Sequence, residues 1–252
     1  MSKQPNSQLF ALTDQLKAKL DEQRPLPNAV LENLHENLVL NWTYHSNAIE
    51  GNTLTLKETK VALEGITVGG KTLREHFEAI NHREAILFLE EQVQAKAPID
   101  EWLIKSLHQL VLKNIDNENA GKYRAVNTPE QMQQFVDWVS NDAPQLHPIE
   151  AAARIHGELV KNHPFIDGNG RTSRLLMNLA LMQAGFPATI ITVEQRLEYY
   201  SALDQAHTTC DYQAFTALLA HAVIKGFEPY WWALGMKDEI QQFLKESGYA
   251  SA

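Results

Sequence analysis

The stretch His163-Pro164-Phe165-Ile166-Asp167-Gly168-Asn169-Gly170-Arg171-Thr172-Ser173-Arg174 runs directly into an apolar helical pattern that extends from Arg171 to Ala184 and is ended by Gly185 and Pro187. Before it, Pro148 suits the first turn of another helical pattern, over about 148 to 161. The quoted residues are therefore a polar, glycine-containing turn between two helices. Gly168 and Gly170 let the backbone turn tightly and expose successive N–H groups at the N-terminus of the following helix, where partial positive charge favours an anion. Arg171 and Arg174 stand three apart in the first turn, so both can face the same cradle and supply charge-assisted hydrogen bonds to phosphate oxygens. Asp167 would be repelled by that anion unless a cation intervened, which points to Mg²⁺ held by one carboxylate and by substrate phosphates. His163, at the entrance of the turn, has the ring whose ordinary pKa suits proton abstraction near neutral pH. The ligand these residues describe is a magnesium–nucleotide.

Outward from the turn, apolar residues recur at helical spacing and no sustained alternating pattern competes, so the fold class is all-α. Residues 7 to 22 read as an amphipathic helix that Pro25 and Pro27 separate from a second, beginning near Asn28. Gly51 and Asn52 break that helix, and Thr55 with Glu58 has the spacing of a capping box opening a helix through Leu63. Further helical patterns cover about 72 to 93, 100 to 114 and 129 to 141, with Gly121-Lys122-Tyr123-Arg124 in a loop, and residues 193 to 206 and 212 to 247 complete a helical C-terminal part. No repeat, low-complexity tract or linker divides the chain.

Composition narrows the function classes. The chain has 252 residues, 44% of them hydrophobic, enough for one ordinary core. Its 22 Lys and Arg face 31 Asp and Glu, and a formal charge of −9 argues against nucleic acid as a partner. Cys210 is the single cysteine, so no intrachain disulfide forms, and the N-terminus shows no apolar run like that of a signal peptide. The longest apolar stretches, such as Leu175 to Leu181, fall well short of the ~20 residues that span a bilayer. A soluble, cytoplasmic protein without a membrane segment is expected.

The quoted stretch has the HxFx(D/E)GNGRxxR signature of Fic proteins, with every position filled, and the resemblance extends from about Tyr44 to Phe215. It is close to the animal Fic enzymes of the endoplasmic reticulum, whose membrane anchor is not seen here. The resemblance implies a compact all-α Fic core whose catalytic loop joins two central helices. It also implies a protein adenylyltransferase: His163 deprotonates a Ser, Thr or Tyr hydroxyl, which attacks the α-phosphorus of ATP while pyrophosphate leaves. Asp167 would hold Mg²⁺, Asn169 and the amides around Gly168 and Gly170 would stabilise the α-phosphate, Arg171 would bind the β-phosphate and Arg174 the γ-phosphate. Phe165 is expected to anchor the loop in the core. Tyr199 and Tyr200 match the tyrosine pair that helps enclose adenine in related enzymes, with Tyr200 assigned to the pocket; His207 stands where relatives often have asparagine. On this resemblance residues 1-95 form an N-terminal helical part, 96-215 the Fic core and 216-252 the C-terminal helices, all in one compact unit, and the resemblance implies a homodimer.

Ser46-Asn47-Ala48-Ile49-Glu50-Gly51-Asn52 matches the (S/T)xxxE(G/N) inhibitory motif of Fic proteins with an N-terminal brake, which places an inhibitory helix at about 41–50. Glu50 is then the inhibitory residue: its carboxylate forms a bidentate pair with Arg174 and takes the place of the γ-phosphate. The same glutamate could position water, so removal of AMP from a modified protein is an alternative activity. Relatives usually continue from Tyr123-Arg124-Ala125-Val126-Asn127 into a β-hairpin flap that aligns the target by strand pairing, whereas here Thr128-Pro129-Glu130 leads almost at once into the next helical pattern. The flap reads as shortened or absent. That leaves a nucleotide-binding regulator without transfer activity as a further alternative. A polar connection with solvated arginines and Asp167 as a helix cap is the plain structural alternative. Metal-dependent hydrolysis through His156, His163 and Asp167 is another, although a spacing of seven lacks the i, i+4 geometry of a helical zinc pair. The Doc type, a kinase-like branch, carries lysine where Gly170 stands.

Overall fold

The computed structural model describes residues 6–125 and 128–249, without the side chains of residues 29, 30 and 128. All regular structure among them is helical: α1 (Ser7–Asp21), α2 (Asn28–Ile49), α3 (Leu56–Leu63), α4 (Leu73–Gln94), α5 (Glu101–Leu112), α6 (Thr128–Asn141), α7 (Pro148–Asn162), α8 (Asn169–Gln183), α9 (Arg196–Thr209), α10 (Gln213–Gly226), α11 (Glu228–Ala233) and α12 (Lys237–Glu246). Val126 and Asn127, on which the expected loss of the flap falls, lie outside the described residues; no strand occurs among those described, and helix resumes at Thr128.

Local chemistry accounts for where these helices start. Thr55 accepts from the Glu58 N–H and Glu58 reaches back to the Thr55 N–H, closing the expected capping box, and Thr72 with Glu75 repeats the device at the start of α4. Asp100 caps α5 through the Leu103 N–H, and Pro148 occupies the first turn of α7. Each such cap is worth about 1 kcal/mol. Several expected boundaries move. Where one helix over 193 to 206 was expected, a 3-10 turn at Val193–Gln195 precedes α9, which runs on to Thr209. α8 begins at Asn169 rather than Arg171, because Gly168, at φ 75°, turns the chain and serves as its N-cap. The C-terminal part is three helices, broken at Phe227 and again before Lys237, where Gly235 adopts φ 69°.

α7 and α8 form the central pair. α8 packs against α7, α4, α5 and α2 and is buried along nearly its whole length. Two apolar clusters share it: Met177 and Leu181 join Leu16, Leu20, Phe215 and Phe227, whereas Leu175, Leu176 and Leu179 join Leu89, Leu103, Leu107 and Leu159. Asn178 breaks the apolar run, yet its amide donates to Thr189 O at 2.9 Å and its carbonyl accepts from Thr189 N at 2.6 Å, so the buried carboxamide ties α8 to the following segment. No described helix is long and apolar enough to cross a membrane. With α8 clamped on all sides, the residues of its first turn are held rigidly, and there the candidate site is built.

Candidate active site

At the end of α7 the chain reverses through His163, whose left-handed backbone (φ 46°, ψ 56°) caps the helix and leaves the side chain exposed. Phe165 then enters the core, fully buried, and its ring stacks on His108 of α5 at 3.6 Å between centroids. Gly168 must pass close to the same imidazole: a Cβ there would lie 3.3 Å from the His108 ring and from Val111. His108 Nδ1 accepts from the Gly121 N–H at 2.9 Å, so the proton sits on Nε2, which donates to Asp167 O at 2.9 Å. Burial pushes this imidazole down to about 4, so it stays neutral while it pins the loop from beneath.

Asn169 fixes the loop from within. Its Oδ1 accepts from Phe165 N at 3.0 Å, and Nδ2 donates to Phe165 O at 2.8 Å. That orientation turns Nδ2 also toward His163 Nε2, at 3.2 Å. Nε2 therefore presents a lone pair, the form a general base requires. The first intrahelical bond of α8 is Thr172 N to Gly168 O, at 2.9 Å, so the N–H groups of Asn169, Gly170 and Arg171 are the uncommitted donors at the helix start. The Gly168 N–H is spent on Asp167 Oδ1 at 2.6 Å.

The charged groups surround those donors. Arg171 is nearly fully buried; Nη1 lies 3.4 Å from Glu78 Oε1 and Nη2 3.4 Å from Asp167 Oδ1, while Nε and Nη1 have no hydrogen-bond partner. A buried guanidinium with unspent donors is equipped for an anion. Asp167 is half-exposed and accepts from Arg74 Nη2 through Oδ2 at 2.5 Å. Although burial pushes its pKa up, the charge of Arg171, the Gly168 N–H and Arg74 hold it below the usual carboxylate range. A lone hard carboxylate, open to solvent on one side and meeting a cation there, fits Mg²⁺ that takes its remaining ligands from phosphates and water.

Arg174 is enclosed. Nη2 donates to Glu50 Oε1 at 2.7 Å and to Ser46 O at 2.8 Å, Nε to Ser46 Oγ at 3.1 Å, and Nη1 to Tyr199 OH at 3.2 Å. Tyr199 OH in turn donates to His156 Nε2 at 2.9 Å. The expected bidentate pair is corrected to a contact through one carboxylate oxygen, because Ser46 and Tyr199 take the other directions of the guanidinium. Glu50 caps α2 and remains one-third exposed, with its carboxylate lying over Gly170, where any Cβ would collide with Oε1.

His163, Asp167, Gly168, Asn169, Gly170, Arg171, Arg174, Ser46 and Glu50 thus meet in one cluster. Tyr200 joins its edge: it is 40% exposed and its hydroxyl donates to Ile49 O at 3.4 Å, whereas Tyr199 is buried against Arg174. His207 instead faces Gly157 O at 2.9 Å. His156 is buried on Tyr199, away from the loop carboxylate, and among the described residues no three His, Cys, Asp or Glu side chains gather as a metal-ligand set, so the zinc reading has no ligand set behind it. The sequence reading missed Arg74, Glu78 and His108. The i, i+4 pairing of Arg74 with Glu78 was visible as a helical charge pair, but nothing in the sequence brought it to the loop.

Fold and site together define an all-α protein whose two central helices are joined by a turn of uncommitted N–H groups and buried arginines, with a histidine at its mouth. Comparison with known proteins agrees. The sequence profile of the Fic/DOC family matches residues 98–181. Protein adenylyltransferase fic-1 of Caenorhabditis briggsae is 43% identical over 185 residues, or 66% of this chain and 36% of that protein. Protein adenylyltransferase Fic of Nematostella vectensis is 37% identical over 248 residues, or 87% of this chain and 56% of that protein. The chain therefore spans roughly a third to a little over half the length of these relatives. The solved structure of Fic-1 from C. elegans superposes with a TM-score of 0.84 at 35% identity, covering 90% of this chain and 72% of that one. The chain belongs to the Fic/DOC family.

Proposed function

We propose that the loop transfers AMP from ATP to a Ser, Thr or Tyr hydroxyl of a protein, and that Glu50 restrains the transfer. The observation that carries this reading is the cluster itself: an imidazole with Nε2 as acceptor, a buried Arg171 with unspent donors, and an Arg174 whose guanidinium is engaged by a carboxylate. The family relatives named protein adenylyltransferase support it. In this reading His163 Nε2 takes the hydroxyl proton, the hydroxyl oxygen bonds to the α-phosphorus, and the bond from that phosphorus to the bridging oxygen breaks, releasing pyrophosphate. The N–H groups of Asn169, Gly170 and Arg171 receive the α-phosphate oxygens. The Arg171 guanidinium holds the β-phosphate, Arg174 the γ-phosphate, and Tyr200 borders the adenine. Asp167 is the carboxylate that would hold Mg²⁺, and the metal when bound neutralises charge on the α- and β-phosphates.

Glu50 acts by occupying the guanidinium that the γ-phosphate needs. ATP then binds without the geometry in which the α-phosphorus faces His163, and in-line attack fails. The place of the reaction is the cytoplasm, where ATP and Mg²⁺ are abundant, and a homodimer belongs to the same proposal on the strength of the resemblance. The position of the Glu50 carboxylate over Gly170 favours a second activity, in which it orients water for removal of AMP from a modified protein.

Intact mass and released products test the forward reading. Glu50→Gly incubated with ATP, Mg²⁺ and cell lysate should yield pyrophosphate and protein carrying an AMP adduct. Phosphate adducts with ADP as product would contradict it, and so would nucleotide binding with no adduct. Run on an AMP-modified protein, the same comparison should show removal by the wild type and its loss in Glu50→Gly; equal removal by the two would exclude the second activity.

A further inference from the structure

Arg74 lies outside everything the loop motif specifies, yet its guanidinium reaches the one carboxylate of the loop. Nη2 stands 2.5 Å from Asp167 Oδ2, while Nε donates to Glu78 Oε1 at 3.2 Å. The other oxygen of Asp167 accepts from the Gly168 N–H at 2.6 Å and faces Arg171 Nη2 at 3.4 Å. Both oxygens are thus engaged by donors, and a divalent cation needs at least one of them released.

The three donors differ in their freedom to leave. The Gly168 N–H belongs to the backbone of a loop pinned by His108 and Asn169. Arg171 is 3% exposed and hemmed in by Glu78. Arg74 is 56% exposed on a long flexible stem, and Glu78 gives its guanidinium an anchor that does not depend on Asp167. Of the three, Arg74 is the one that can swing away without disturbing the fold.

We infer that Arg74 is a stand-in cation for Asp167: it neutralises the carboxylate while no metal–nucleotide is bound, is displaced when Mg²⁺ enters, and so sets the Mg²⁺ concentration at which nucleotide binds. The inference rests on the reading of Asp167 as the metal-holding carboxylate. It assigns α4 a part in the site that neither the loop nor the Glu50 contact supplies. An exposed Arg–Asp pair is worth little, so its removal should shift the metal requirement by about two- to fivefold rather than abolish it.

The test is calorimetric titration of the whole chain with α,β-methylene ATP over a series of Mg²⁺ concentrations, and again in EDTA, for wild type, Arg74→Gln, Arg74→Lys and Asp167→Asn. Arg74→Gln should reach half of the Mg²⁺-induced gain in affinity at about two- to fivefold lower Mg²⁺. Arg74→Lys should stay near wild type, Asp167→Asn should need more Mg²⁺, and Arg74→Gln should weaken binding in EDTA, where Asp167 is left bare beside the phosphates, but not at saturating Mg²⁺. A midpoint for Arg74→Gln at or above that of wild type, with Asp167→Asn still shifted, would overturn the inference and leave the reading of Asp167 standing. A loss of affinity at saturating Mg²⁺ as large as that in EDTA would also overturn it, since Arg74 would then act on nucleotide. An unshifted Asp167→Asn would remove both. Arg74 is exposed, and equal melting temperatures for its variants would show that the fold is intact.

Discussion

At Gly170 the absence of one methyl group decides what the loop can hold. A Cβ there would collide with Glu50 Oε1 and lie 3.1 Å from Arg174 Nη1. From the sequence Gly170 was legible as a turn residue exposing amides; that a carboxylate from 120 positions earlier lies over it was not, because the contact depends on how α2 and α8 pack. The same holds for Arg174, whose pairing with Glu50 follows from a motif, while its bonds to the Ser46 carbonyl and to Tyr199 are set by the burial of three helices together. Gly170→Ala should therefore push the Glu50 carboxylate off Arg174 and destabilise the wild type by about 1–2 kcal/mol through the lost charged hydrogen bond. In a Glu50→Gly background the collision disappears and the helix preference of alanine remains, worth up to about 1 kcal/mol. Denaturant midpoints of the four proteins should give a coupling of at least about 1 kcal/mol between the sites, and additive effects would contradict the close approach.

At the scale of elements, helices announced themselves where side chains satisfy helix ends. The Thr55–Glu58 capping box and Pro148 stand where the sequence put them, and the α7–turn–α8 pattern at the centre of the fold was readable from apolar periodicity and two glycines. Boundaries failed where one residue takes an unusual conformation: left-handed Gly168 starts α8 two residues early, and Gly235 divides the C-terminal helices. The functional share of α4 was illegible for a different reason. Arg74, Glu78 and His82 fall in a helical pattern over about 72 to 93 that carries no motif, and only tertiary packing carries Arg74 across 93 positions to Asp167. His108 is similar, a histidine on an apolar face whose stacking on Phe165 needs the folded loop to exist.

For the whole molecule, the polar interior under the site has a cost in acid. His82 is fully buried, with Nδ1 3.3 Å from Thr43 Oγ1 and Nε2 without a partner. Burial, then the charges of Arg174 and Arg171, lower its pKa from the ordinary 6.5 to about 3. Between those values the unfolded chain binds a proton that the native state refuses, so stability is complete above pH 6.5 and is lost as pH falls toward 3, by up to about 5 kcal/mol over the full window. His156, buried and also lowered, acts in the same direction. Urea midpoints measured from pH 7 to pH 4 should fall steeply for wild type and less steeply for His82→Phe. Parallel pH profiles would show that His82 is not buried as the neutral form.

The central claim is that His163 drives AMP transfer on a loop that Glu50 restrains, and transfer of label from α-labelled ATP to protein tests it most directly. With Mg²⁺, wild type should label itself and lysate proteins weakly, Glu50→Gly strongly, and Glu50→Gly combined with His163→Ala not at all. Label that persists without His163 would contradict the assignment of the base, and equal label in wild type and Glu50→Gly would contradict the brake.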